Sequence, residues 1–327
     1  DEDGFAKAME EQKQKARDNQ NFSAKLGNES DLFKDLSEDI KSEFVGYDKL
    51  TLDQEIIALA SDTELTDSLS EGREGTVIVA KTPFYATMGG QKGDIGVIRT
   101  ANGEFKVTDT IKLPEGRIAH IGVVTSGTIK KGDTASLCVD AKNRMSTCRN
   151  HTATHLLQAA LQEVMGDDVH QQGSYQDCDR TRFDFSCGQA LTAEEIEKVQ
   201  AIVNEKIAED IDVATQVMSI EDAKKTGAMA LFGEKYGDSV RVVSVGDFSK
   251  EFCGGTHVSH TGEIQSFKIV SESSAAAGVR RIEAITGANV TAYYAKLEKE
   301  LAEAAKAAKT TPAELINKIH SLNAQIK

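Results

Sequence analysis

Gly96-Val-Ile-Arg-Thr-Ala-Asn-Gly-Glu-Phe-Lys-Val-Thr108 decides the character of the first half of the chain. Two strand-like runs, Gly96–Thr100 and Phe105–Thr108, flank Asn102-Gly103. An Asn-Gly pair between such runs predicts a β-hairpin. The pattern repeats outward. Thr76-Val-Ile-Val-Ala80 is a β-branched run upstream, and Ile118 to Thr125 reads as a strand downstream. Thr134 to Val139 follows a turn at Lys130–Asp133. Many short strands at this spacing predict a small β-barrel over residues 44–140.

On either side the period becomes helical. Residues 5–24 read as an amphipathic helix through Phe5, Ala8, Met9 and Ala16, and Phe33, Leu36 and Ile40 suggest a short second one. From Met145 the helical period returns, with Leu156, Leu157, Ala160, Leu161 and Val164 in Thr154–Val164. Arg182-Phe-Asp-Phe185 alternates as a strand. Thr192 and Glu195 form a capping-box pattern for a helix to about Glu209. Strands are expected at Val213–Met218, Val240–Val245, Ile264–Ser271 and Arg281–Ile285, and a short helix at Ile220–Lys225. Past Asn289, the stripe of Leu297, Leu301, Ala304 and Ala308 breaks at Thr310-Thr-Pro312 and resumes with Leu315, Ile316 and Ile319. That predicts a helical hairpin, with Pro312 in the new helix's first turn. The expected fold class is α+β. It comprises an N-terminal helical segment (1–43), a β-barrel subdomain (44–140), a metal-binding α/β core (141–289) and the start of a helical C-terminal segment (290–327).

The 327 residues carry a net charge of −14, which argues against tight, sequence-blind nucleic-acid binding. A local basic patch remains open to RNA, with Arg144, Arg149, Arg280 and Arg281 as candidates. No apolar run approaches the roughly 18 residues of a membrane helix, and Asp1-Glu-Asp-Gly4 begins no signal peptide. A chain without an initial methionine is expected to be a fragment or a processed chain. Five scattered cysteines favour a reducing cytoplasm and free thiols over a disulfide framework.

Two short pieces carry the chemistry: His151-Thr-Ala-Thr-His155 and Cys253-Gly-Gly-Thr-His257. Each holds two zinc-type ligands four positions apart, a spacing that on a helix puts both on one face. Three imidazoles and a thiolate complete a tetrahedral zinc set. An HxxxH alone is a weak signal, and the second pair in its glycine context strengthens it. No Glu sits between the histidines, so this is not the HExxH of metalloproteases. Gly254 and Gly255 lack Cβ atoms, so their backbone can come close to a ligand. Thr82-Pro-Phe-Tyr-Ala-Thr-Met-Gly-Gly-Gln-Lys-Gly93 is a second glycine-rich loop, without the GxxxxGK[ST] pattern of phosphate binding.

At these residues the chain resembles the editing half of alanyl-tRNA synthetases. The matching pieces are Thr82-Pro-Phe-Tyr-Ala86 with Gly89-Gly-Gln91, Arg149-Asn-His-Thr-Ala-Thr-His155, Arg182-Phe-Asp-Phe185, Gly227-Ala-Met-Ala-Leu-Phe-Gly-Glu-Lys-Tyr236, Cys253-Gly-Gly-Thr-His257 and Gly278-Val-Arg-Arg-Ile-Glu-Ala284. They follow the family's order over about residues 75–290. The resemblance implies hydrolysis of wrongly made seryl- and glycyl-tRNA(Ala). Its substrate would be the acceptor end of that tRNA, and in the whole protein an aminoacylation domain would sit in cis. It also implies Zn(2+) on His151, His155, Cys253 and His257. Gln171 matches a glutamine linked to editing, and Thr154 and Arg280 match pocket residues. Thr87 falls in the loop that free-standing relatives use near serine's hydroxyl. A fragment of this kind is not expected to charge tRNA. Two other readings stay open: a stand-alone trans-editing deacylase, and a non-catalytic zinc-stabilised tRNA-binding module.

Overall fold

The computed structural model describes Phe33, Leu36 and residues 40–61, 64–229 and 237–326. The helix expected over 5–24 and most of the second short helix lie outside these residues, as does 230–236. The chain divides into two compact units, Asp1–Thr147 and Cys148–Lys327.

In the first unit, six antiparallel strands close on themselves. They are β1 (Thr51–Ala60), β2 (Glu74–Val79), β3 (Gly96–Arg99), β4 (Gly103–Lys112), β5 (Ile118–Lys130) and β6 (Thr134–Val139). Their order is β6-β3-β4-β5-β2-β1, and β6 pairs back onto β1 from Cys138↔Thr51 to Thr134↔Glu55. The inward residues alternate along each strand and meet as one core of Ile56, Leu59, Val77, Val79, Ile98, Phe105, Val107 and Leu137. The expected barrel is therefore present. Outside it, Phe33 is buried against Ile78, Ile111 and Ile121, with Leu36 and Ile40 packed alongside. Arg117 donates to the carbonyls of Phe33, Leu36 and Ile40 at 2.8, 3.0 and 3.1 Å, fixing that segment to the wall.

The β3–β4 hairpin forms where Asn102-Gly103 predicted it, for a different reason. Neither residue has a positive φ. Gly103 is needed because a Cβ there would stand 2.8 Å from the backbone of Thr128 on β5. Left-handed turn geometry appears instead at Gly89 and Gly90, with φ +59° and +84°. They cap the turn between Met88 and Gln91, whose N–H and C=O groups pair at 3.1 and 3.2 Å.

Helix α1 (Ala141–Met165) opens with Asp140 accepting the Asn143 N–H at 2.9 Å. In the second unit, residues 150–158 of α1 are all buried, so this stretch is a central helix covered on every side. Around it lie two antiparallel sheets. One runs β7 (Gln171–Gln176), β8 (Thr181–Ser186), β13 (Val279–Thr286), β12 (Phe267–Ala276). The other runs β9 (Val213–Ser219), β10 (Ser239–Val245), β11 (Ser249–Phe252). Helix α2 (Ala193–Ala208) leads from the first sheet to the second, and α3 (Ile220–Lys225) follows β9 within the second. The mixture of segregated sheets and helices is α+β, as expected. Both halves of the predicted capping box are present at Thr192 and Glu195.

The strand expected from Ile264 begins only at Phe267. Thr261–Ile264 is a 3-10 turn. Thr261 Oγ1 donates to Lys206 O at 2.7 Å and accepts the Ile211 N–H at 2.8 Å, binding the turn to the end of α2. Helices α4 (Ala288–Ala307) and α5 (Leu315–Ile326) form the expected pair, with Pro312 opening the 3-10 turn before α5. Much of the hairpin's apolar stripe stays exposed, including Leu301 and Ile316. Among the described residues no helix is long and apolar enough to cross a membrane.

Candidate metal centre

His151 and His155 lie one turn apart in the buried stretch of α1. Cys253 and His257 are not on a helix. They lie in the irregular segment after β11, where Gly254 and Gly255 deprive a helix of its propensity. Neither glycine has a positive φ. Arg241 on β10 holds this loop, donating to Cys253 O at 2.9 Å and Gly255 O at 2.8 Å. The Gly255 N–H in turn points at Cys253 Sγ, 3.4 Å away.

One ligand atom from each of His151, His155, Cys253 and His257 lies within 4.8 Å of the other three. Cys253 Sγ is 3.4 Å from His151 Nε2 and 3.2 Å from His257 Nε2. A tetrahedral ion with nitrogen and sulfur bonds of ordinary length would space its donors ~3.3–3.6 Å apart. The donor set therefore fits a four-coordinate metal with small adjustments. Electrostatics agree. Burial holds the His155 imidazole down to about 4, helped by the nearby Arg241 charge. Burial and mutual repulsion hold His151 and His257 well below the usual histidine range. All three rings thus keep unprotonated nitrogens at neutral pH.

Outer contacts orient the rings. Thr152 Oγ1 lies 3.0 Å from His257 Nδ1 and accepts the Val258 N–H at 3.2 Å. Glu251 Oε2 lies 3.7 Å from His155 Nδ1. Burial pushes the Glu251 carboxyl up to about 8, against a hydrogen bond from Ser249. Thr152, Arg241 and Glu251 were not singled out by sequence. Arg241 left a signal, a charge interrupting the apolar alternation Val240–Val245. Glu251 left a fainter one, standing two residues before Cys253 on the same strand path.

The other expected site residues are distributed as follows. Gln171 and Arg280 share one cross-strand row, with Phe185 between them. Gln171 Nε2 donates to Ser174 Oγ at 3.3 Å. Arg280 is paired with Glu272 through both Nε and Nη2. Thr154 Oγ1 donates to Asn150 O at 2.8 Å and meets Thr181 Oγ1 at 2.6 Å, in a buried contact between α1 and β8. Thr87 belongs to the first unit, where its hydroxyl accepts the Gly93 N–H at 2.8 Å.

Comparison with known proteins bears on this centre. A family model described as the threonyl and alanyl tRNA synthetase second additional domain matches residues 240–283, and so spans Arg241, Glu251, Cys253 and His257. A second, described as tRNA synthetases class II (A), matches residues 1–143. Across all 327 residues the chain is 54% identical to alanine–tRNA ligase 1 of Lachnoclostridium phytofermentans. This chain belongs to the alanyl-tRNA synthetase family. It is also 47% identical over 327 residues to the alanine–tRNA ligase of Delftia acidovorans, and 45% over 322 residues to that of Alkaliphilus oremlandii. It spans 37%, 36% and 37% of the length of these three synthetases.

Proposed function

We propose that this part of an alanyl-tRNA synthetase hydrolyses the ester of seryl- and glycyl-tRNA(Ala), removing the wrong amino acid. The observation that carries the reading is the convergence of His151, His155, Cys253 and His257 on one point, in a chain that matches alanine–tRNA ligases throughout. The ion we assign is zinc, which suits three imidazoles and a thiolate. When bound, zinc supplies a Lewis acid that polarises an ester carbonyl or anchors the substrate amine.

The chain's own groups do the rest. Depressed proton affinity leaves the three imidazoles ready as ligands at neutral pH. Gln171, with an amide that both donates and accepts, orients substrate and water from the end of β7. The Arg280 guanidinium is neutralised by Glu272, so it shapes the row beside Phe185 instead of drawing in phosphate. Thr154 enters as a lining group whose hydroxyl is already engaged. Gly254 and Gly255 offer a backbone without Cβ atoms beside the ligands. Selection of serine against alanine follows from a buried hydrogen-bonding group that alanine would leave unpaired. The acceptor end of tRNA(Ala) is the partner in this reading, with the aminoacylation domain in cis and the cytoplasm as the setting.

The test is hydrolysis of Ser-, Gly- and Ala-tRNA(Ala) by the chain and by Cys253→Ala and Gln171→Ala, with metal content measured alongside. Loss of Ser- and Gly-ester hydrolysis in both variants supports the proposal. Equal hydrolysis by metal-free protein removes zinc from it. A second reading has one observation in its favour: four protein ligands form a closed set, typical of structural zinc. Retained tRNA binding without any hydrolysis would establish a zinc-stabilised binding module instead.

A further inference from the structure

We propose that Glu251 is a positioning residue that fixes the His155 tautomer and so sets the metal affinity of the site. The inference rests on the zinc assignment above. Glu251 is the penultimate residue of β11, two residues before Cys253, so backbone order delivers a ligand and this carboxyl group to the same place. Oε2 stands 3.7 Å from His155 Nδ1, with both side chains buried. His155 Nδ1 is itself buried and has no hydrogen-bond partner among the described residues. The other carboxylate oxygen is not idle: Ser249 Oγ donates to it, 3.3 Å away. Ser249 thus holds Glu251 from one side and leaves Oε2 for the imidazole.

Ligation through Nε2 requires the ring proton on Nδ1. A carboxyl oxygen facing Nδ1 accepts that proton, selects the tautomer and orients the ring. His257 has a different arrangement, with the neutral Thr152 hydroxyl beside its Nδ1. The two rings therefore have unequal outer partners, and only His155 faces an acid among these. A shift of less than ~1 Å brings Oε2 to hydrogen-bond distance of Nδ1.

The experiment measures zinc affinity of the full chain by competition with a chromophoric chelator. It compares wild type, Glu251→Gln and Ser249→Ala, with circular dichroism of each metal-free protein. Cobalt(II) spectra follow His and Cys ligation directly. The expected result is one zinc bound by wild type and roughly 10- to 100-fold weaker binding by Glu251→Gln. The thiolate-to-cobalt band should persist in that variant while the ligand-field bands shift. Glu251→Asp should recover part of the affinity. Equal affinity of wild type and a folded Glu251→Gln overturns the inference and leaves the zinc assignment standing. Failure of wild type to bind zinc overturns both. Should Glu251→Gln fail to fold, Ser249→Ala decides: a several-fold loss supports the inference, and no loss overturns it.

Discussion

Thr152 Oγ1 and His257 Nδ1 stand 3.0 Å apart, joining the helix that bears one ligand pair to the loop that bears the other. If His257 ligates through Nε2, its Nδ1–H must donate to this hydroxyl, which already accepts the Val258 N–H. Thr152→Val keeps the shape and removes both bonds. We expect zinc affinity to fall by roughly 10-fold, read by chelator competition, with unchanged far-UV circular dichroism.

Metal should also stabilise the second unit, because its ligands come from α1 and from a loop about a hundred residues later. At zinc about 100 times its dissociation constant, stability should rise by ~2.7 kcal/mol. Urea unfolding with and without zinc measures the increment. Cys253→Ala should abolish most of it, and an equal increment in that variant would show that zinc stabilises from elsewhere.

Arg144 in the first turn of α1 is buried and pairs with Asp94. It also donates to Gly46 O at 2.7 Å and Pro83 O at 2.8 Å, while Asp94 accepts the Tyr85 N–H. The pair thus anchors both ends of the Thr82–Gly93 loop within the first unit. Removing one member leaves the other charge buried, so Arg144→Ala should cost about 3–5 kcal/mol. Adding Asp94→Ala should cost less than the sum of the two single losses, as a double-mutant cycle in urea will show.

His120 gives the barrel a pH dependence. Its Nδ1–H donates to Val77 O at 2.9 Å and its Nε2 accepts from Thr82 Oγ1 at 2.7 Å. Burial lowers it to about 4, against the Val77 bond. The unfolded chain takes up this proton near the ordinary value of 6.5. Between those pH values the unfolded state binds more protons, so stability falls as pH falls. The contribution is intact above about pH 6.5 and diminishes by roughly 3 kcal/mol on reaching pH 4. Comparing urea midpoints of wild type and His120→Gln isolates this slope, which the variant should lack.

At Thr192, Oγ1 accepts the Glu195 N–H at 3.2 Å and the Glu195 carboxylate accepts the Thr192 N–H at 2.7 Å. Thr192→Ala removes one bond of the box and should cost ~1 kcal/mol, measured by urea unfolding.

That capping box was readable because all of its partners lie within four residues. Thr134–Val139 and Ile220–Lys225 were also found at their expected bounds. The two ligand pairs were visible for the same reason, as short spacings of metal-type side chains. What sequence hid depends on distant partners. Glu251 becomes noticeable only when the chain returns to His155, ninety-six positions earlier in the sequence. Ile264 has strand-like neighbours, but Thr261 ties its turn to Lys206 O. Gly103 signalled a hairpin correctly, yet the constraint on it comes from Thr128 across the barrel.

Closure of the barrel has a consequence for how the chain acquires its structure. The pairing that seals it joins β6 to β1, about eighty positions apart in the chain, so loop entropy is spent before the contact rewards it. Until Thr134–Val139 has left the ribosome, β1 and β3 each lack a neighbour and present open edges. One six-residue strand therefore covers both edges at once. A ribosome pause just before Thr134 would prolong the most aggregation-prone moment in the life of this unit.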